Sequence, residues 1–212
     1  ENFLKTLRSL CTKNKSILIF DEVMTGFRVA RGGVQELFNI KPDLTALGKI
    51  VGGGLPVGVY GGKAKIMNNI SPDGPVYQAG TLSGNPVAVS AGTALLKQLK
   101  NKKMFSELER KGEIFLKGLK EEAEKNDIPF CYNIRGGMFG FFFSNKLPKN
   151  FQEVSDTNIS MFNKFFRLML EQNVYLPPSA FESCFLSTEH TQEQLMKTVK
   201  LSSNVFKNLN NG

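Results

Sequence analysis

The sequence has 212 residues, of which 41% are hydrophobic and 22% are charged. This length and composition are typical of a globular protein with one or two domains. No apolar run reaches the roughly 18 residues that a membrane-spanning helix needs, so we expect no membrane partner. The formal net charge is +8, but the lysines are scattered along the chain. We therefore expect no nucleic-acid partner and favour anionic small molecules as substrates.

The cysteines and the single histidine form no pattern typical of a metal site or a nucleophile. The cysteines lie far apart, at Cys11, Cys131 and Cys184, with no Cys-x-x-Cys pair. This spacing argues against a disulfide framework and against bound zinc, and it predicts a reducing compartment such as the cytoplasm. His190 precedes Thr191-x-x-Gln194, a capping-box pattern, so we interpret it as part of a helix start.

The first half of the chain predicts helices alternating with short buried strands, as in an α/β fold. The predicted elements are a helix ending near residue 13, strands at 17–20, 44–47 and 57–62, and a largely apolar, buried helix at 87–99. Asp21 follows the first strand directly, and Lys49 follows the second. Functional groups gather at the carboxyl ends of parallel strands, so both are candidate site residues. The alternatives are a plain strand-end cap at Asp21 and a solvated loop at Lys49.

Two glycine-rich stretches could approach a bound group closely. Three consecutive glycines, at 52–54, follow Lys49. Gly80 and Thr81 lie in the loop 77–86 just before the helix at 87–99, where amides and hydroxyls can hold a phosphate. A capped turn without a ligand is the alternative there. The phosphate loop of nucleotide-binding proteins is excluded, because that motif needs Ser or Thr at the position of Ile50.

The second half has a different texture, and we predict a domain boundary near residue 126. The domains would be residues 1–125 and residues 126–212. The predicted elements are a helix at 104–123, a strand pair within 130–144 broken at Gly136 and Gly137, a helix near 159–169, short strands at 174–176 and 184–186, and a last helix at 191–208. Such a mixture is typical of a small α+β domain.

Asp21, Lys49 and the Gly80–Thr81 loop together form the set that pyridoxal phosphate chemistry needs. A lysine amine condenses with the cofactor aldehyde, and a carboxylate faces the pyridine nitrogen. Amides and hydroxyls hold the phosphate. The combination of the three features therefore predicts a pyridoxal phosphate enzyme.

The same residues lie in segments that resemble the class III aminotransferases, a fold type I family. These segments are residues 19–28, 41–58, 74–86, 135–140 and 174–182. The resemblance implies a fold type I transferase, with residues 1–125 as the second half of the large mixed-sheet, cofactor-binding domain. Residues 126–212 would be its small α+β C-terminal domain. Family members are much longer, so we expect a preceding part that supplies ring stacking, further phosphate contacts and a lid.

The resemblance also implies roles for individual residues. Lys49 would be the Schiff-base lysine and proton shuttle, and Asp21 the partner of the pyridine nitrogen. Val23 would pack on the ring face. Gly80 and Thr81 would bind the phosphate of the neighbouring subunit's cofactor, so a homodimer is implied.

Glu182 separates branches of the family. It lies where ordinary transaminases are expected to carry an arginine for a substrate carboxylate, so the resemblance implies an aminomutase with Glu182 in its catalytic site. That reaction converts glutamate 1-semialdehyde into 5-aminolevulinate for porphyrin synthesis, starting from the pyridoxamine phosphate form. The alternatives are a class III aminotransferase with two separate substrates and an inactive fragment or interaction module.

Overall fold

The computed structural model describes residues 2–101 and 103–210 of the chain. They divide into two compact units, Glu1–Lys102 and Lys103–Gly212. This division differs from the predicted boundary at 125/126 by one long helix, α5 (Lys103–Glu124). The apolar stripe of α5 packs against elements of the second unit, and this burial decides to which unit the helix belongs.

The first unit is built on a small mixed sheet. Its elements are α1 (Asn2–Lys13), β1 (Ile19–Asp21), α2 (Gly33–Phe38), β2 (Leu44–Leu47), a 3-10 turn (Lys49–Gly52), β3 (Val59–Gly62), α3 (Ala64–Met67) and α4 (Pro86–Gln98). β1 pairs parallel with β2, and β2 pairs antiparallel with β3. The predicted α/β class and its three strands are therefore confirmed.

A salt-bridged carboxylate anchors the amino end of β2. Asp43 is buried and forms ion pairs with Arg8 of α1, at 2.8 Å, and with Lys63, just after β3. One of its oxygens also accepts from the backbone amide of Leu18, at 2.8 Å. These contacts tie α1 and the neighbouring strands together at the end of the sheet opposite to Lys49.

The helix α4 is less buried than its apolar sequence predicts. Only Ala88 and Gly92 of this helix are buried, whereas Val87 is 67% exposed. The prediction of a buried helix was wrong for the described chain. Apolar residues occur on all sides of α4, but most of them are not covered by other residues of the described chain. The face of α4 that packs against the 3-10 turn carries small residues, Ala91 and Gly92.

The second unit combines an antiparallel sheet with helices. Its elements are α5 (Lys103–Glu124), β4 (Cys131–Arg135), β5 (Met138–Phe142), α6 (Phe151–Ser155), α7 (Ile159–Glu171), β6 (Cys184–Phe185) and α8 (Gln192–Asn210). The sheet order is β4-β5-β6, and the predicted break at Gly136 is a turn in which this glycine has φ +58°. The strand predicted at 174–176 was wrong: those residues lie outside the sheet, next to Pro177 and Pro178, which lack an amide donor.

A phenylalanine cluster forms the core of the second unit. The rings of Phe165 and Phe206 are stacked with centroids 5.1 Å apart, and those of Phe130 and Phe141 are stacked at 5.5 Å. Phe165 and Phe206 are fully buried. Aromatic rings bury large apolar areas, so this cluster supplies much of the hydrophobic stabilisation of the unit.

The predicted start of the last helix is confirmed. The amide of Gln194 donates to Thr191 Oγ1 at 3.1 Å, and the amide of Thr191 donates to Gln194 Oε1 at 2.9 Å. His190 Nδ1 accepts from the amide of Ser187 at 3.0 Å. His190 is thus part of a helix start, as the capping-box pattern indicates. Among residues 2–101 and 103–210, no helix combines the length and the apolar character that crossing a bilayer requires.

Candidate functional site

Parallel pairing brings the ends of β1 and β2 to the same edge of the sheet. Asp21 is the register partner of Ala46, and the amide of Glu22 donates to the Ala46 carbonyl at 2.9 Å. Lys49 follows Ala46 by three residues. Asp21 and Lys49 therefore lie at neighbouring strand ends, where functional groups collect in α/β sheets.

Local contacts hold Asp21 and Val23 beside the segment that leads to Lys49. Asp21 is exposed, and its Oδ1 accepts from the amide of Val23 at 3.0 Å. Val23 packs against Gly48: a Cβ on that glycine would lie 3.1 Å from Val23 Cγ1. A glycine at position 48 therefore lets the Val23 side chain approach the backbone immediately before Lys49.

Lys49 has a left-handed backbone. Its φ is +49°, in a region that residues other than glycine seldom adopt, and its side chain is exposed. The 3-10 turn that begins at Lys49 ends at Gly53, which has φ +61° and donates its amide to the Ile50 carbonyl at 3.0 Å. Such conformations persist where the surrounding structure holds them, and they are common at functional sites.

Lys49 and Arg28 line one cavity of about 620 Å³ in the first unit. Its other walls are mostly apolar and are formed by Ile50, Gly54, Leu55, Pro56, Val57 and Leu95. Arg28 Nε donates to the Met24 carbonyl at 3.1 Å, and burial lowers the pKa of the Arg28 guanidinium. Two cationic side chains in an apolar cavity can hold an anion.

Gly80 lines a second cavity, of about 240 Å³, which shares Pro56 and Val57 with the Lys49 cavity. Thr81 is exposed and is not part of its lining. Asn85 caps α4, because its Oδ1 accepts from the amides of Val87 and Ala88, both at 3.1 Å. The capped turn, one of the two alternatives for this loop, is therefore present. A phosphate would have to bind to the part of the loop that precedes Asn85.

The predicted site residues are not all brought into one cavity. Asp21 lines a separate cavity of about 270 Å³, and it is absent from the described lining of the Lys49 cavity. Glu182 belongs to the second unit, where it is exposed and its amide donates to the Ser179 carbonyl at 3.1 Å. The assignments of Asp21, Val23, Lys49, Gly80, Thr81 and Glu182 to a cofactor or catalytic site stay predictions.

Glu22 is a residue of this edge that the sequence did not reveal. It is only 2% exposed, although it is acidic and directly follows Asp21. Its carboxylate accepts hydrogen bonds from Thr25, Val34 and Gln35. The available signal was the pair Gly32-Gly33 at the start of α2, since an added Cβ on Gly33 would overlap the Glu22 carboxylate. Within residues 2–101 and 103–210, the acidic, cysteine and histidine side chains form no group of three or more that could hold a metal ion.

Sequence comparison places relatives over almost the whole chain. The model of the family described as "Aminotransferase class-III" matches residues 1–196. The chain is 51% identical over 208 residues to glutamate-1-semialdehyde 2,1-aminomutase of Francisella tularensis subsp. tularensis (strain WY96-3418), covering 97% of this chain and 48% of that protein. It is 50% identical over 208 residues to the enzyme of the same name from Francisella philomiragia, with the same coverage. The chain thus spans about half the length of the curated relatives it matches.

Solved structures share the fold. A β-phenylalanine aminotransferase from Variovorax paradoxus matches with a TM-score of 0.86 at 27% identity, over 95% of this chain and 46% of that one. An omega-transaminase from Sphaerobacter thermophilus matches with a TM-score of 0.81 at 27% identity, over 99% of this chain and 47% of that one. A glutamate-1-semialdehyde-aminomutase from Pseudomonas aeruginosa PAO1 matches with a TM-score of 0.82, over 98% of this chain and 48% of that one. Its sequence identity of 20% supports similarity of fold alone. The predicted fold is confirmed, and the chain belongs to the class III aminotransferase family.

Proposed function

We propose that the complete protein containing residues 1–212 converts glutamate 1-semialdehyde into 5-aminolevulinate by intramolecular amino transfer, a step of porphyrin synthesis. The observation that carries this proposal is the 51% identity, over 97% of the chain, to proteins named glutamate-1-semialdehyde 2,1-aminomutase. The match covers 97% of the chain, so the matched region takes in most of both units.

The residues at the sheet edge fit pyridoxal phosphate in the chemistry of their donors. Lys49 supplies an amine and Asp21 a carboxylate. Gly48 has no side chain, which leaves room for Val23 beside the backbone that leads to Lys49. When bound, pyridoxal phosphate and its pyridoxamine form supply a carbonyl or an amino group for exchange with substrate and a ring that accepts electrons. The family membership makes this cofactor the one to test.

Each side chain would have a separate task. The Lys49 amine would attach the cofactor and, when released, carry a proton between a substrate carbon and a cofactor carbon. Asp21 would face the cofactor's pyridine nitrogen, with one carboxylate oxygen fixed by the Val23 amide. Val23 would pack on the ring. Arg28, beside Lys49 in the same cavity, would attract the substrate carboxylate.

Glu182 favours the aminomutase over a transaminase in this proposal. An arginine at that place would hold a second substrate carboxylate, and an acid would repel it. The competing function is amino transfer between two separate substrates. It is favoured by the 27% identity to proteins named omega-transaminase and β-phenylalanine aminotransferase.

We also propose that the complete protein is a homodimer in which Gly80 and Thr81 serve the cofactor of the neighbouring subunit. Large apolar side chains near this loop are exposed in the described chain, with Tyr77 at 83% and Leu82 at 68%. A second copy would cover such a surface. A cytoplasmic location is proposed because Cys11, Cys131 and Cys184 are free thiols.

The decisive experiment supplies glutamate 1-semialdehyde to the purified complete protein with no second amino acceptor. Sustained formation of 5-aminolevulinate supports the proposal. Arrest after one equivalent of product indicates a two-substrate transaminase, and absence of cofactor absorbance indicates an interaction module. Lys49→Ala should abolish turnover, whereas Lys65→Ala, which removes an exposed lysine of α3, should leave turnover unchanged.

A further inference from the structure

Glu22 is a buried carboxylate whose hydrogen bonds organise the segment after β1. Glu22 Oε2 accepts from Thr25 Oγ1 at 2.6 Å and from the Val34 amide at 2.8 Å. Glu22 Oε1 accepts from the Gln35 amide at 3.0 Å and from Gln35 Nε2 at 3.3 Å. Its carboxylate therefore connects the turn after Asp21 with the first residues of α2.

The first consequence concerns Asp21. The amide of Gly26 donates to the Glu22 carbonyl at 2.8 Å, so the main chain and the side chain of Glu22 close the same turn. That turn carries Val23, whose amide binds Asp21 Oδ1. Val23 also packs on Gly48. The orientation of the Asp21 carboxylate thus depends on a turn that Glu22 holds closed.

The second consequence concerns the strand that leads to Lys49. Gln35 Nε2, which contacts Glu22, also donates to Thr45 Oγ1 in β2 at 3.1 Å. Gly26 lies against the same strand: a Cβ there would lie 2.5 Å from Leu47 Cδ2. The network therefore spans both strand ends, with Asp21 on one and Lys49 on the other.

We propose that Glu22 is a positioning residue that sets the geometry of Asp21 relative to the segment carrying Lys49. This inference rests on the proposed function, because it concerns how the same edge holds the cofactor. Glu22 touches neither substrate nor cofactor in this proposal. It acts through the turn that carries the Val23 amide and through Gln35.

The test is Glu22→Gln in the complete protein. Each oxygen of Glu22 accepts from a backbone amide, and neither amide can become an acceptor. Whichever way the new side-chain amide turns, it places a donor against a donor, at the cost of a buried unsatisfied group. The measurements are the dissociation constant of pyridoxal phosphate, the wavelength of its bound visible absorbance, and kcat and KM for glutamate 1-semialdehyde.

Asp43→Asn is the matched control, because Asp43 is also a buried, multiply hydrogen-bonded carboxylate, but at the amino end of β2. Arg8→Gln, which removes one of the two cations paired with Asp43, is a second control that should disturb this carboxylate less. The unfolding free energy of each variant is measured, and cofactor binding is compared between Glu22→Gln and whichever control loses a similar amount of stability. We expect Glu22→Gln to weaken cofactor binding roughly tenfold and to shift the absorbance, whereas the controls retain both.

Equal effects of Glu22→Gln and the control on the cofactor would overturn the inference while leaving the proposed function intact. Wild-type protein that neither binds pyridoxal phosphate nor forms 5-aminolevulinate would overturn the proposed function itself. Where Glu22→Gln does not fold, Gln35→Met keeps the backbone bond to Glu22 and removes the connection to Thr45. It should weaken cofactor binding in the same direction, and unchanged binding would contradict the proposal.

Discussion

Gly92 of α4 lies directly against the carbonyl oxygen of Val51, two residues after Lys49. A Cβ at position 92 would overlap that oxygen. The reverse contact is also close, because a Cβ on Gly53 would lie 2.5 Å from the Ala91 carbonyl oxygen. The 3-10 turn that begins at Lys49 therefore rests on α4 at backbone distance, and α4 in turn follows the Gly80–Thr81 loop.

Gly92→Ala should push the 3-10 turn away from α4. Neither partner in the contact is a flexible side chain, so the backbone must move, at a cost of about 1–3 kcal/mol in unfolding free energy. Because Lys49 begins this turn, we expect weaker cofactor binding as well. Urea unfolding and pyridoxal phosphate titration measure the two effects.

Gly61→Ala is the control for Gly92→Ala, because a Cβ at position 61 meets nothing within 4 Å in the described chain. Its unfolding free energy should stay the same or rise by up to about 1 kcal/mol, because alanine loses less backbone entropy than glycine on folding. If Gly92→Ala were instead more stable than the wild type by about 1 kcal/mol, the ordinary gain of alanine over glycine in a helix, α4 and the turn would not be in backbone contact.

The left-handed backbone of Lys49 predicts an inverted order of stability between two substitutions. In an ordinary helix, alanine is more stable than glycine by about 1 kcal/mol. At φ +49° the order reverses, because only glycine adopts this region without a steric cost. Lys49→Gly should therefore unfold at higher urea concentration than Lys49→Ala.

Lys117 supplies the matched comparison, since it is an exposed lysine within the long helix α5. There Lys117→Ala should be more stable than Lys117→Gly by about 1 kcal/mol. The same order of stability at positions 49 and 117 would contradict a left-handed backbone at Lys49.

Asp43 should make the stability of the first unit sensitive to acid. Hydrogen bonds from Lys63, the Leu18 amide and Arg8 hold the pKa of Asp43 below its usual range. A carboxylate with a lowered folded-state pKa contributes stability above its unfolded pKa of about 3.9 and loses that contribution as pH falls. Wild-type unfolding midpoints should therefore drop between about pH 5 and pH 2 by more than those of Asp43→Asn. Parallel pH profiles would contradict this role.

Cys184 should be chemically inert while the second unit is folded. Burial, with a smaller effect of Glu182, raises the pKa of the Cys184 thiol to about 12. The thiolate is the reactive form, so alkylation by iodoacetamide at about pH 8 should label Cys184 only after denaturation. Mass spectrometry of native and urea-treated protein measures the labelling. Labelling of Cys184 at the same rate in both samples would show that it is accessible.

Sequence patterns predicted the two strand ends and the cap of the last helix, because these features depend on residues close together in the chain. Asp21 and Lys49 follow short apolar runs, and the parallel pairing of those runs brings them to one edge. The role of Glu22 depends on partners 12 and 13 residues away, which no local pattern identifies. The exposure of α4 also escaped prediction, because apolar content does not reveal which face is covered.

The central claim is that Lys49 is the attachment point of the cofactor. The complete protein is incubated with pyridoxal phosphate, reduced with borohydride, digested and mapped by mass spectrometry. We predict that the reduced cofactor is bound to the peptide containing Lys49, and that Asp21→Asn lowers the yield. A cofactor bound to another lysine, with Lys49 unmodified, would contradict the assignment of Lys49.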